Sequence, residues 1–245
     1  MPDASEAPSG PGPHASVGAI VVAAGAGRRM GGVDKTFATL GGKPLIAHSL
    51  DALHASDRID SVVVVLSNAN IEQASRLVAE GRYHKVTSIC LGGDRRQDSV
   101  RQGLERLPDV EWIVVHDGAR PLVDAGLFER GLTEALLTGV AVAAVPVKDT
   151  IKTANADMVV TQTLGRDTLW IVQTPQVFRS DILSEAHEMV TDDVTDDASM
   201  IERVGGKVRL FMGSYENIKV TTPEDLPVAE ALFARRARLV SQGSA

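Results

Sequence analysis

The chain has 245 residues, and 25 Lys and Arg against 32 Asp and Glu give a formal net charge of −7 at pH 7. At about 150 residues per domain, this length allows one large domain or two small ones. With 44% hydrophobic and 23% charged residues, the composition permits a buried core and argues against disorder of the whole chain. A single cysteine excludes a disulfide framework and a cysteine-rich zinc module. The acidic balance argues against a general nucleic-acid-binding protein.

The beginning of the chain differs in composition from the rest. Residues Met1–Ser16 contain four of the 11 prolines and no periodic apolar residues, so we predict a disordered tail there and one domain over residues 17–240. This tail has neither the basic start nor the apolar stretch of a signal peptide. Elsewhere the longest apolar stretches, such as Val62–Leu66, are far shorter than the roughly 20 residues that cross a bilayer. We therefore expect a soluble, cytoplasmic protein that is not bound to a membrane.

Short apolar runs alternate with amphipathic segments along the predicted domain. The runs are nearly continuous and rich in β-branched residues, which predicts buried strands over Val17–Ala24, Ser61–Leu66, Val86–Leu91, Glu111–His116 and Val140–Val145. The amphipathic segments predict helices over Pro44–Leu53, Ile71–Glu80, Arg95–Leu107, Ala125–Leu137 and Pro223–Arg238. Such alternation is typical of βαβ units. We therefore predict an α/β fold of the Rossmann-like class, with a mostly parallel sheet flanked by helices.

The alternation is interrupted over about residues 148–177. Strand-like pieces occur at Thr150–Thr153, Met158–Thr163 and Leu169–Val172, and no long helix separates them. This pattern predicts an antiparallel β-arm that leaves the main sheet. The edges of an exposed hairpin need cover, and a second copy of the chain could supply it. We therefore expect a homodimer held by the arm.

A glycine-rich segment, Ala23–Met30 (AAGAGRRM), directly follows the first predicted strand. Glycines at the carboxyl end of a strand expose backbone N–H groups that can hold an anion. The dinucleotide fingerprint GxGxxG needs a small residue where Met30 stands, and the P-loop needs Gly rather than Asp34 before its lysine. The segment instead leads into three cations within eight residues, which are Arg28, Arg29 and Lys35. This set suits a triphosphate, although a plain turn with solvated basic side chains would have the same pattern.

A second glycine turn, Gly92–Ser99 (GGDRRQDS), follows the third predicted strand and opens the next helix. Ser99 lies one turn inside that helix, where its hydroxyl could meet a phosphate or a base. A loop followed by a solvated first helical turn is the alternative interpretation.

A carboxylate lies at the end of the fourth predicted strand, within the segment Val114–Pro121 (VVHDGARP). This position places Asp117 at the carboxyl edge of the sheet. Mg²⁺ takes oxygen ligands, usually one or two carboxylates together with substrate phosphates, so Asp117 is a candidate magnesium ligand. It could instead cap the turn that follows. The neighbouring His116 is expected to be a buried strand-end histidine rather than a base.

Eight short motifs in one order give the chain a family resemblance. They are AAGAGRRM, GKPL, GGDRRQDSV, HDGARP, DTIK, TPQ, TDDAS and NIKVTTPEDL, and the resemblance extends from about Val17 to Arg238. In this series the chain resembles the 2-C-methyl-D-erythritol 4-phosphate cytidylyltransferases of the non-mevalonate isoprenoid pathway. The resemblance implies a homodimeric, Mg²⁺-dependent enzyme that transfers CMP from CTP to 2-C-methyl-D-erythritol 4-phosphate and releases pyrophosphate.

The resemblance also implies roles for individual residues. It implies that CTP is held by Ala23, Ala24, Gly25, Gly27, Gly93, Asp94 and Ser99, and that Asp117 carries Mg²⁺. The residues implied to face the methylerythritol phosphate are Arg120, Thr150, Arg166, Thr174 and Lys219. Those implied to act in catalysis are Arg29, Lys35, Arg166 and Lys219. On the same basis, Thr150 and Arg166 of the arm would serve the site of the neighbouring subunit.

Three other functions stay open at this stage. A ribitol 5-phosphate cytidylyltransferase would share the fold and the nucleotide site, and the DTIK and TDDAS motifs favour the methylerythritol enzyme over it. Another sugar-phosphate nucleotidyltransferase, using GTP or UTP, is disfavoured by the series of motifs. A non-catalytic nucleotide-binding protein would be expected to lack Arg29, Lys35 or Asp117, and all three are present. The chain departs from the family pattern at Asp34 and Thr36, which flank the loop lysine where the family commonly has Pro and Gln.

Overall fold

The computed structural model describes residues 15–25 and 35–243. Its strands are β1 (Val17–Ala23), β2 (Thr39–Leu40), β3 (Lys43–Pro44), β4 (Ser61–Leu66), β5 (Val86–Leu91), β6 (Trp112–Asp117), β7 (Val140–Pro146), β8 (Lys152–Ala154), β9 (Val160–Thr163), β10 (Trp170–Arg179) and β11 (Arg209–Met212). Its helices are α1 (Leu45–Ala55), α2 (Ile71–Glu80), α3 (Arg96–Leu104), α4 (Ala125–Ala135), α5 (Ser180–Met189), α6 (Asp197–Arg203) and α7 (Asp225–Gly243). In this part of the chain, no helix is both long and apolar enough to cross a membrane.

Seven strands form a single sheet in the order β11–β7–β10–β6–β1–β4–β5. All of them run in the same direction except β10, which is antiparallel to both of its neighbours, β6 and β7. The pairs β2–β3 and β8–β9 form two separate two-stranded sheets. The predicted mostly parallel α/β sheet is therefore confirmed.

The strands are apolar on both faces because helices cover both faces. Alternate residues of β4 belong to separate core clusters, with Val62 and Val64 in one and Val63 and Val65 in the other. The first cluster includes residues of α1 and α4, and the second includes residues of α3, α5 and α6. This packing explains why the strand sequences are nearly continuous apolar runs rather than alternating ones. It leaves the connections at the carboxyl ends of the parallel strands available to build a site.

The arm is shorter than its sequence pattern predicted. Strands β8 and β9 are exposed along their whole length, as is the beginning of β10, Trp170–Val172. From Gln173 to Phe178, however, β10 is buried and lies between β6 and β7. The last residues of the arm expected over residues 148–177 therefore belong to the central sheet, where Trp170–Val172 already pair with β7 at an exposed edge.

The predicted tail over residues 1–16 lies outside the described residues except for its last two. Of these, Ser16 is tied to the sheet, since its carbonyl oxygen accepts hydrogen bonds from the backbone of Glu111 and Trp112. These two bonds attach the last residue of the predicted tail to the strand β6.

The buried half of β10 leads to a prediction about stability. Phe178 is fully buried and pairs with Ile113 on β6 and Val140 on β7. We expect Phe178→Ala to lower the free energy of unfolding by about 3–5 kcal/mol, because it removes a large side chain from a closely packed core. Leu137→Ala is the control, since Leu137 is 55% exposed and its loss should cost less than about 0.5 kcal/mol. Urea unfolding followed by tryptophan fluorescence measures both, and equal losses would contradict the central position of β10.

Candidate active site

The carboxyl ends of β1 and β6 lie side by side, and their register pairs Val22 with Asp117. Two cavities open at this edge of the sheet. We call them the glycine cavity, of about 430 Å³, and the β10 cavity, of about 410 Å³. The glycine cavity is lined by residues of the two glycine turns, including Ala23, Ala24, Gly25, Gly93, Asp94 and Ser99. The β10 cavity is lined by residues that include Arg120, Gln173, Thr174, Gln176, Thr195 and Glu202. Three charged residues line both cavities, and these are Arg96, Asp117 and Lys219.

Asp117 is a buried carboxylate surrounded by cations. Its Oδ2 atom lies 2.8 Å from Nζ of Lys219, and its two carboxylate oxygens lie 3.5 Å from the Nε atoms of Arg96 and Arg120. Burial opposes ionisation of this group, but the charges of Arg96, Lys219 and Arg120 outweigh it and hold the pKa of Asp117 well below its usual range. Asp117 is therefore ionised at neutral pH. Three cations therefore converge on Asp117 at the junction of the two cavities, where they can also meet an anionic ligand.

The glycine cavity depends on close contact between the end of β1 and the beginning of α3. A Cβ atom on Gly92 would lie 2.3 Å from Cβ of Ala24 and 2.6 Å from Oγ of Ser99, so a larger residue would push these elements apart. The Ser99 hydroxyl accepts a hydrogen bond from the Gly93 backbone at 3.2 Å and donates one to the Arg95 carbonyl, also at 3.2 Å. These bonds hold the second glycine turn against the first turn of α3.

The structure brings together six of the seven residues expected at the nucleotide, since Ala23, Ala24, Gly25, Gly93, Asp94 and Ser99 all line the glycine cavity. Gly27 and Arg29 lie outside the described residues. For Lys35 the structure describes only the backbone, which begins a short 3-10 helix, Lys35–Phe37. The next residue, Thr36, is buried and lines the glycine cavity.

Hydrogen bonds join the residues that form one wall of the β10 cavity. The hydroxyl oxygen of Thr174 accepts a hydrogen bond from the backbone N–H of Asp117 at 3.0 Å. The side-chain amide of Asn217 donates to the Thr174 carbonyl at 2.8 Å, and the Asn217 carbonyl accepts from Nη1 of Arg120 at 2.7 Å. These bonds join β6, β10 and the segment that carries Lys219 into one frame.

His116 is buried beneath this wall. Its Nδ1 atom lies 3.2 Å from Oγ1 of Thr174, and its ring meets that of Phe128 edge to face. Burial lowers the pKa of His116 to about 4, so the ring is neutral at pH 7. Its position indicates a structural residue rather than a base that contacts a substrate.

Thr150 and Arg166 do not join the other expected residues within one chain. Both are exposed, and neither lines the two cavities. Arg166 lies in the short 3-10 helix of the arm, where its Nη1 donates to the carbonyl oxygen of Lys148 at 3.0 Å. Their place on the arm leaves them available to a second copy of the chain.

Arg96 lies within the GGDRRQDSV motif, but the sequence analysis gave it no role in the site. It begins α3, lines both cavities and contacts Asp117. The sequence feature that could have identified Arg96 is its position at the start of a helix that follows a glycine turn. A side chain at that position can reach the carboxyl edge of the sheet.

Asp117 also has the chemistry of a magnesium ligand. Among residues 15–25 and 35–243, no group of three or more His, Cys, Asp or Glu side chains could hold a metal ion without other ligands. Magnesium sites that serve phosphate transfer commonly use one or two carboxylates and take further ligands from substrate phosphates and water. A single ionised carboxylate at the junction of the two cavities fits that pattern.

The fold and the site define an α/β protein with two cavities, lined by charged side chains, at the carboxyl ends of its parallel strands. The family model described as 2-C-methyl-D-erythritol 4-phosphate cytidylyltransferase (IspD) matches residues 17–235, and the chain belongs to this family. The resemblance seen in the eight sequence motifs is thereby confirmed.

Individual relatives cover nearly the whole chain. A 2-C-methyl-D-erythritol 4-phosphate cytidylyltransferase of Dehalococcoides mccartyi (strain 195) is 50% identical over 219 residues, which cover 89% of this chain and 96% of that protein. One of Pelotomaculum thermopropionicum is 47% identical over 235 residues, covering 93% and 98%. The crystal structure of 4-diphosphocytidyl-2C-methyl-D-erythritol synthase from Anaerococcus prevotii is similar with a TM-score of 0.80 and 28% identity, covering 90% and 96%.

The hydroxyl of Thr174 leads to a second prediction. Thr174→Val keeps the shape of the side chain but leaves the Asp117 N–H without its partner, and a buried unpaired group costs about 1–3 kcal/mol of unfolding free energy. Thr174→Ser keeps the hydroxyl and is the matched control, with an expected loss below about 1 kcal/mol. Chemical denaturation measures both variants. Equal stability of the two would show that this hydrogen bond does not support the site.

Proposed function

We propose that this chain transfers CMP from CTP to 2-C-methyl-D-erythritol 4-phosphate, giving 4-diphosphocytidyl-2-C-methyl-D-erythritol and pyrophosphate. Family membership supports the identity of both substrates. The structural observation that carries the proposal is the junction of two cavities at Asp117, Lys219 and Arg96. A nucleotide in one cavity and an acceptor in the other would meet with their phosphates at this junction.

The reaction needs positioning and charge more than covalent chemistry. A phosphate oxygen of the acceptor attacks the α-phosphorus of CTP, and the bond from that phosphorus to the leaving pyrophosphate breaks. Because the attacking phosphate is already anionic, no general base is required, and a neutral, buried His116 is compatible with this chemistry. The protein must align two like-charged groups and stabilise charge as it develops.

The glycine cavity is the proposed nucleotide site. Its backbone and small side chains would hold the base and ribose, through Ala23, Ala24, Gly25, Gly27, Gly93, Asp94 and Ser99. Arg29 and Lys35, which follow the first glycine turn, would neutralise the triphosphate and the departing pyrophosphate. The small residues support this assignment because they let the backbone approach a ligand closely.

The β10 cavity is the proposed acceptor site. Lys219 would act as a point charge on the acceptor phosphate, and its Nζ atom is already held 2.8 Å from Asp117. Arg120 and Thr174 would complete the wall on which the acceptor lies.

Asp117 is the proposed magnesium ligand, with further ligands from the substrate phosphates. When bound there, Mg²⁺ would supply positive charge to the triphosphate and help to orient it. The contribution of the chain is to keep the Asp117 carboxylate ionised and fixed in place, which Lys219, Arg96 and Arg120 do.

A cytoplasmic homodimer is part of the same proposal. The arm exposes large apolar side chains, with Met158 at 83%, Val159 at 59% and Ile171 at 51% exposure. Such a surface favours contact with a partner, and a second copy of the chain could cover it. In that dimer Thr150 and Arg166 would contribute to the partner's acceptor site. Soluble phosphorylated substrates and a single cysteine support location in the cytoplasm.

Pyrophosphate release tests the proposed function directly. We expect release with CTP, 2-C-methyl-D-erythritol 4-phosphate and Mg²⁺, and background rates with UTP, GTP or ATP or without the metal. Release with ribitol 5-phosphate alone would keep the chemistry and change the acceptor. No release from folded protein under any condition would reject the enzyme and favour a nucleotide-binding protein.

Mixed dimers test whether the arm serves the partner's site. Asp117→Asn and Arg166→Ala should each be nearly inactive alone. In an equal mixture after subunit exchange, half of the dimers contain one of each variant and have one intact site, so about a quarter of wild-type activity should return. Asp117→Asn mixed with Lys219→Ala is the control, because both residues belong to the same subunit's site and every site stays defective. Absence of recovery in the first mixture would contradict a shared site.

A further inference from the structure

Asp197 is a fully buried carboxylate to which the proposed function assigns no role. It begins α6, and its Oδ2 atom accepts a hydrogen bond from Nη1 of Arg96 at 2.5 Å. On its other side, Nε2 of His187 lies 3.6 Å from its Oδ1 atom. Asp196, the preceding residue, caps the helix, so Asp197 is not needed for that purpose.

Arg96 connects this buried carboxylate to the site. Its Nε atom lies 3.5 Å from Oδ1 of Asp117, while its Nη1 atom is bound to Asp197. One planar guanidinium is thus held between two carboxylates that come from different elements, β6 and α6. The same side chain lines both cavities, so the orientation of its guanidinium decides whether this positive charge faces the junction.

Further hydrogen bonds attach the chain before Asp197 to the helix α3. The side chain of Gln97 donates to the Asp192 carbonyl at 3.0 Å and accepts from the Val194 backbone at 3.1 Å. Nη2 of Arg101 donates to the His187 carbonyl at 2.7 Å. The segment that precedes α6 is therefore attached along the helix that carries Arg96.

Stability alone is a poor explanation for such a pair. Burying two charges costs desolvation energy that offsets most of their attraction, so a buried ion pair adds little relative to apolar residues of similar size. A guanidinium bound at one end does, however, lose the rotational freedom that an arginine side chain otherwise keeps. The pair is well suited to fixing an orientation.

We propose that Asp197 is a positioning residue for the transfer reaction: it fixes the guanidinium of Arg96 at the junction of the two cavities, where Arg96 contacts the anionic oxygens of the bound substrates. This inference rests on the proposed function. Asp197 itself touches no substrate and acts only through Arg96.

A double-mutant cycle tests the inference. The four proteins are the wild type, Arg96→Gln, Asp197→Asn and the double variant, and kcat, KM for each substrate and Tm are measured for each. Arg96→Gln should lower kcat about 100-fold, as expected for loss of one donor to developing charge. Asp197→Asn should lower it about 10-fold, the effect of losing a residue that orients another. The double variant should be no slower than Arg96→Gln.

Stability should follow a different order from turnover. Arg96→Gln leaves a buried carboxylate without its cation, so it should have the lowest Tm of the four proteins. The double variant replaces the ion pair with two neutral side chains that can hydrogen-bond, and its Tm should recover. Its kcat should not. This separation shows that Arg96 acts on turnover as well as on stability, and the roughly 10-fold lower kcat of folded Asp197→Asn then distinguishes a positioning role from a purely structural one.

Three results would overturn the inference. These are an unchanged kcat in Asp197→Asn, losses that multiply to about 1000-fold in the double variant, and recovery of kcat together with Tm. Asp181→Asn is the control, because Asp181 pairs with Arg179 at 2.6 Å outside both cavities, and its kcat should equal that of the wild type.

Failure of the inference about Asp197 can be distinguished from failure of the proposed function. If the wild type released no pyrophosphate, the proposed function would fall, and CTP binding by calorimetry to the same four proteins would decide the inference. Equal weakening in Arg96→Gln and the double variant, with a smaller effect in Asp197→Asn, would support it. Unchanged affinity in both single variants, or no binding to the wild type, would overturn it.

Discussion

The carboxylate of Asp117 is the constraint on which the rest of the site depends. It ends a strand inside the sheet, and cations from three parts of the chain approach it, namely Arg96 at the start of α3, Arg120 in the turn after β6 and Lys219 before α7. Without its charge, these cations would repel one another in a poorly solvated space. The carboxylate thus draws side chains of several elements to one edge of the sheet, where the same cations can meet phosphates.

The direction of β10 explains how the acceptor side of the site is built. An antiparallel strand begins where its parallel neighbours end, so β10 enters the sheet from the arm at the edge where the site lies. Its first buried residues, Gln173 and Thr174, are therefore delivered to the carboxyl end of β6. The same strand joins the exposed arm to the core. A partner bound to the arm would therefore contact the strand that carries Gln173 and Thr174 to the site.

How far the sequence predicted the structure depended on whether the signal was local. The bounds of β4, β5 and α2 match their predictions, because continuous β-branched runs and helical periodicity are local properties. The buried half of β10 was missed because polar residues and Pro175 interrupt its apolar pattern, and proline in a central strand argues against one. Helices α5 and α6 were not predicted from the sequence, and α6, with seven residues, is too short to show a clear helical period.

The same distinction applies to the site. The glycine turns and Asp117 were found because each follows a recognisable strand. Thr174 and Lys219 were identified only through the family resemblance, since neither has a local pattern of its own. Arg96 was given no role because its contacts are with Asp117 and with Asp197, which lies 101 residues further along the chain. Contacts between distant residues are properties of the fold and leave no mark on a single short motif.

The position of Arg166 on an exposed arm has a consequence for how the enzyme behaves at different concentrations. If the acceptor site of each subunit takes Thr150 and Arg166 from the neighbouring subunit, a lone subunit has an incomplete site. Dilution would then reduce the rate per molecule as dimers dissociate, and the acceptor, by bridging two chains, would oppose that dissociation. The substrate would in this way help to assemble the site that consumes it.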